Sequence, residues 1–343
     1  MRFIRALLGF ALLLVPGITS AHEVYVLDRA SIDSAMAAVS PNPFMAYFGN
    51  ESDFVLWGII SFVVFSTVLA ASLFHVFEKR LGSFLRSLKK YAVPVARITV
   101  GLCFIAFAVA GRLYGSELTL SHVFGSGAML MQIVLLLLGV GATLGYRTRL
   151  VGLGMLIVYG LAFWSVGSYI LTYTDFLGAA LLITILGGGL YSLDGMLGIH
   201  APRALTSFTN SLEPYAFALL RMCFGWGVLY ASVYAKFIHS QLALEVVIQY
   251  DLTRFFPFDP LFVVLGALII EFIAGAMVFF GIALRWTLIF LAFWLTLSLI
   301  YFQELIWPHG ILFGLAIALF MHGYDRYSLE GFFMKRKGRE PVF

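Results

Sequence analysis

Glu271 stands alone in "LFVVLGALIIEFIAGAMVFFG", a stretch with no other ionisable side chain. A carboxylate in such surroundings costs several kcal/mol unless it is paired or neutral, so it points to a proton, ion or cofactor site. Three cations lie in comparable company. Arg97 and Arg221 sit inside apolar runs, and Lys236 closes the run that holds Arg221. At about 1.5 Å of rise per residue, Arg221 lies ~10–12 Å and Glu271 about 20 Å from the same face of a bilayer. An arginine side chain spans that gap if the helices are neighbours. We therefore expect an Arg221–Glu271 pair lining a small internal cavity. Its functional version is a proton or cofactor site; its structural version is a buried pair that fixes helix register.

Arg97 and Lys236 are the further candidates for contact with a bound cofactor. Arg97 has carbonyls or Glu271 as expected partners. Lys236 and Arg112 fall at helix ends, where the ordinary role is to snorkel to the headgroups. Cys103 and Cys223 are single, and without Cys-x-x-Cys a dithiol relay is excluded. Electrons must then travel through a quinone, another cofactor or another subunit. His122, His239 and His309, with Glu304, lack a metal-ligand spacing and read as loop residues. His22 is the metal candidate: cleavage after Ala21 would leave an amine and an imidazole together, a chelate suited to copper.

The elements that position these groups are set by composition. The chain is 61% apolar and 12% charged over 343 residues, whereas soluble domains carry about 25% charge. Residues 1–21 read as a signal peptide, with Arg2 and Arg5 before a short apolar core. The apolar runs predict nine transmembrane helices, at 54–76, 91–112, 125–145, 150–172, 175–193, 214–236, 260–283, 286–304 and 308–323. Links on one side hold fourteen Lys and Arg; those on the other hold Arg29, Arg112, Lys236 and Arg254. By the positive-inside rule the mature N-terminus is outside and the C-terminus cytoplasmic. The cationic face suits orientation and anionic lipid, and no basic-aromatic patch suggests nucleic acid.

"YSLDG" ends at Gly195 and "YSLEG" ends 136 positions later at Gly331. The same offset relates Gly139 to Gly275, Gly145 to Gly281, Arg149 to Arg285 and Gly178 to Gly314. An offset of 124 relates Arg97 to Arg221 and Gly101 to Gly225. Each copy holds four helices, an even number, so the repeat is parallel. The fold class expected is all-α: two four-helix units, 91–195 and 214–331, joined by linker 196–213. An outer segment (22–53), an extra helix with a basic link (54–90) and a basic tail (332–343) complete the chain. The two YSL-acid-Gly segments are expected to stop the fourth helices, with glycine just past the end.

The second copy reads Arg221-x3-Gly225, Lys236, then Glu271-x3-Gly275-x5-Gly281-x3-Arg285. This resembles the DoxX/DoxD family of four-helix membrane proteins. The first copy follows the pattern more loosely, with Leu135 at the glutamate position. The resemblance implies a membrane subunit associated with a quinone-linked oxidoreductase, with quinone as candidate cofactor and a partner subunit on the periplasmic side of the plasma membrane. The readings kept beside it are a non-catalytic anchor, assembly or maturation factor, and a small transporter rocking around Glu271.

Overall fold

The computed structural model describes Leu27 and residues 29–74, 76–302 and 306–336. The expected signal peptide, His22 and Glu304 lie outside the described residues. Seven helical segments among those described are long and apolar enough to cross a bilayer, and an eighth, Pro308–His322, is shorter. These are the dimensions of a multi-pass membrane protein. The helices are α1 (Glu51–Leu73), α2 (Val76–Lys89), α3 (Ala92–Ala110), α4 (Ala128–Leu144), α5 (Thr148–Val166), α6 (Thr174–Leu186), α7 (Ala216–Val233), α8 (Pro260–Phe280), α9 (Leu284–Phe302) and α10 (Ile306–His322). The 39-residue apolar stretch Thr148–Leu186 is broken by the 3-10 turn Gly167–Tyr173, which starts at a glycine with φ 66°. There α5 ends and α6 turns back against it.

One element departs from the all-helical expectation. Gly111 ends α3 with φ 64°, and the chain then forms an antiparallel hairpin of β1 (Arg112–Leu113) and β2 (Gly115–Thr119). Tyr114 makes its turn at φ 58°. The strands bond each other before the chain re-enters helix, so their backbone groups are satisfied at the end of the bundle.

The core is built where α3, α6, α7 and α10 meet. Glycines let these helices and their neighbours touch. A Cβ on Gly101 would lie 2.6 Å from the Thr143 backbone nitrogen on α4, and one on Gly225 would lie 2.4 Å from that of Phe279 on α8. Gly178 on α6 faces Cys223 on α7; Gly314 on α10 faces Thr99 on α3. Each of these contacts recurs at the offsets of 124 and 136. In lipid, where burial drives little association, such close backbone approach is what joins helices.

The YSL-acid-Gly segments correct an expectation: they start short helices rather than stop long ones. Ser192 accepts the Gly195 N–H at 3.2 Å and caps Leu193–Leu197. Ser328 accepts the Gly331 N–H at 2.9 Å, ahead of the short helix Leu329–Arg336. The acid of each segment turns to a neighbouring helix. Asp194 accepts the N–H groups of Arg147 and Thr148 at 2.7 and 2.8 Å, at the start of α5. Glu330 accepts the Leu284 N–H at 3.1 Å, the start of α9, and a hydroxyl bond from Ser72. A carboxylate there satisfies N–H groups that have no partner within their own helix. The Ser72 bond also tethers α1, whose residues 55–64 are exposed along the whole turn-by-turn surface.

Candidate functional site: a polar cavity around Lys236 and Glu271

Glu271 projects from the middle of α8 and meets Lys236, its Oε2 lying 2.8 Å from Nζ. Trp294 on α9 donates its indole N–H to Glu271 Oε1 at 3.2 Å. Lys236 lies in a one-turn π-helix, Tyr234–Ile238, that continues α7; such turns are frequent at functional sites. Its side chain is only 5% exposed. The expected snorkelling is thus replaced by an inward ion pair, because the carboxylate supplies a partner that headgroups would otherwise provide.

The pair opens on a cavity of about 80 Å³, a volume for a handful of waters. Asp175, His309, Tyr169, Tyr173 and Tyr234 share its lining. Asp175 begins α6 and is 3% exposed; His309 begins α10 and is 2% exposed. The 3-10 turn between α5 and α6 supplies Tyr169 and Tyr173, whose hydroxyls both donate to Glu117 Oε1 on β2, at 2.9 and 2.6 Å. Tyr169 and Tyr234 pack with ring centroids 5.2 Å apart. Two carboxylates, an ammonium, an imidazole and three phenols thus converge in an otherwise apolar body. That set can donate to and accept from a small polar solute and can move protons.

Arg221 is not part of this group. Its Nε bonds Asp325 Oδ2 at 2.8 Å, and Nη1 donates to the carbonyls of Val278, at 3.1 Å, and Phe279. Those carbonyls belong to the last turn of α8, about 10 Å along the helix from Glu271. The expected Arg221–Glu271 pair is therefore corrected. Arginine takes the acid and carbonyls nearest its own end, and lysine takes the glutamate. Arg97 does the equivalent work on α4, donating to Ala142 and Thr143 carbonyls at 2.7 and 2.9 Å and to Tyr191 O at 3.1 Å. Both arginines complement the carbonyl-rich, negative end of a helix, and Arg97 does not reach Glu271. Arg112 donates to Ser116 O within the hairpin at 2.5 Å.

Asp175, His309 and Asp325 escaped the sequence reading. The first two fall in the first turns of their helices, and nothing in their immediate neighbours marks them as buried. Asp325 was legible in the repeat, since the first copy has Gly189 at the equivalent position and Arg221 needed an acid that Arg97 did not. His122 and His239 stay outside the cavity, and among the described residues no three metal-capable side chains cluster. Cys103 and Cys223 are free thiols. Comparison of the chain with protein-family models, with curated proteins and with solved structures returns no match.

Proposed function

We propose that the chain is the membrane subunit of a quinone-linked oxidoreductase and that the cavity receives one edge of the quinone headgroup. It is read as two DoxX-like four-helix units in parallel, preceded by one extra helix, with nine crossings of the plasma membrane. The cavity end faces outside, and the arginine-bearing turns at 147–149 and 285 face the cytoplasm. The observation that supports this reading is the buried Lys236–Glu271 pair opening on a void with Asp175, His309 and three tyrosines. Reduction of a quinone needs two protons delivered to its oxygens, and ionisable groups gathered at one point in an apolar helix bundle are the kind of site that moves protons. On this reading Lys236 donates to a quinone oxygen, and the Glu271 carboxylate 2.8 Å away holds that ammonium in place. Arg221 and Arg97 hold helix ends.

Size sets how the ring sits. An engineered cavity of roughly 150 Å³ takes up benzene, and this one is about 80 Å³. It holds a carbonyl edge and its hydrogen-bonded water, leaving the rest of the ring and its tail between helices. With both cysteines single, electrons come from a donor subunit, for which segment 22–53 and link 237–259 form the outer docking surface.

Titration of the purified chain with a short-chain benzoquinone, read by quenching of indole fluorescence, tests the reading. The wild type binds, and Glu271→Gln and Lys236→Met bind at least about tenfold more weakly, the loss of one charged hydrogen bond. Equal quenching in all three proteins contradicts it. The water-scale void also favours a second reading, transport of a small solute. Uptake into proteoliposomes that Glu271→Gln abolishes, without any quinone binding, would select that one.

A further inference from the structure

We propose that Glu117, on the hairpin, is the proton acceptor of the cavity, exchanging one proton with the bound headgroup through Tyr173 and Tyr169. The inference rests on the quinone reading above and adds to it a residue from outside the cavity lining. Both tyrosines line the cavity, and their hydroxyls converge on one oxygen, Glu117 Oε1, at 2.6 and 2.9 Å. The shorter distance lies in the range of an O–H···O⁻ bond to an ionised carboxylate. A phenol that donates its hydroxyl retains lone pairs to accept another proton. Each tyrosine can therefore take a proton on its cavity side while passing its own to Glu117.

The hairpin supplies a reason for its own existence. Among the described residues it is the one strand pair, and it places a carboxylate against the turn Gly167–Tyr173. Arg112, on the paired strand, is engaged with the Ser116 carbonyl. Tyr173 is fixed from its other side by the Tyr114 ring, 5.9 Å away between centroids.

The step balances as follows. Oxidation of a bound quinol passes two electrons to an electron-accepting partner, the electrode in the test below, and releases two protons. The O–H bond on the ring edge outside the cavity breaks as its proton leaves to water. The other breaks as Tyr173 oxygen takes the proton and the Tyr173 hydroxyl hydrogen moves to Glu117, forming a carboxylic acid. Quinone reduction runs the same proton path backwards, with two electrons from the donor subunit.

Thin-layer electrochemical infrared difference spectroscopy on the full chain loaded with a short-chain benzoquinone tests this, the electrode exchanging the electrons. Alongside the quinone bands, the wild type shows a carboxylic acid C=O band on oxidation. Glu117→Gln removes that band, although its amide oxygen still accepts both tyrosine hydroxyls and keeps the hairpin in place. Glu117→Asp restores it at a shifted frequency. The Tyr169→Phe/Tyr173→Phe variant leaves Glu117 present but slows the band by at least about a hundredfold, the lower end of the range for a lost proton-transfer group. Quinone bands with an unchanged carboxyl band in Glu117→Gln overturn the role of Glu117 and leave the quinone site standing. No quinone bands in the wild type overturn both.

Discussion

Replacing Glu271 by Gln leaves the Lys236 ammonium buried beside a neutral amide, where it had a carboxylate 2.8 Å away. Breaking a buried pair from one side costs about 3–5 kcal/mol, whereas replacing both partners with apolar residues of similar volume is often neutral. Thermal unfolding in detergent should thus rank Lys236→Met and Glu271→Gln well below the wild type, with Lys236→Met/Glu271→Met recovering most of the loss. Quinone affinity should not recover in the double variant; recovery of both would reduce the pair to packing. Arg221 makes the contrasting case. Arg221→Met strips Asp325 and two α8 carbonyls of their donor, so stability should fall by a similar amount while any folded fraction still binds quinone normally. At this scale the sequence told that Arg97, Arg221 and Glu271 lie inside apolar runs but not which groups they meet. Depth along a helix made Arg221 look able to reach Glu271, and the true partners depended on helix rotation and on the π-turn at Tyr234, neither of which has a sequence signal.

Two kinds of contact decide how the elements assemble. Glycine contacts come first: a Cβ at Gly225 would overlap the α8 backbone itself, which cannot yield as a side-chain tip can. Gly225→Val and its counterpart Gly101→Val should each cost about 1–3 kcal/mol or more through overpacking, seen as lower recovery of monodisperse protein in size-exclusion chromatography. Wild-type recovery for both would contradict the close helix approach. The acid caps come second. Glu330→Ala removes the acceptor for Leu284 N–H and Ser72, a loss of about 0.5–2 kcal/mol by the measure of helix caps. It should also raise protease cutting between α1 and α2, which the Ser72 bond restrains; an unchanged cutting rate would mean α1 is held elsewhere. Helix positions were readable because apolar runs of membrane length have few alternatives. The hairpin was not, since "RLYGSELT" is too short to show a strand period, and the YSL-acid-Gly segments were read as helix ends because Ser-x-x-Gly does not say which side of it the helix lies on.

For the whole molecule, the two copies differ where chemistry is proposed. Glu271 stands where the first copy has Leu135, His309 where it has Tyr173, and Asp325 where it has Gly189. Shared glycines and arginines keep the scaffold common, and the cavity draws Tyr169, Tyr173 and Asp175 from the first copy against Lys236, Glu271 and His309 from the second. The paired glycine contacts were legible because their spacing recurs at fixed offsets; the composite site was not, because its residues come from distant parts of the chain. A parallel arrangement requires that reporters fused after residues 195 and 331 fall on one side of the membrane and those after 117 and 245 on the other, and a split between 195 and 331 would refute it. The cavity's role is tested most directly by photoaffinity labelling of the purified protein with an azido short-chain benzoquinone, followed by peptide mapping. The account predicts label on peptides containing 169–176, 231–236, 271 or 308–312, competed by unlabelled quinone and lost in Lys236→Met. Label spread over the lipid-facing helices, or unchanged by competitor, would contradict it.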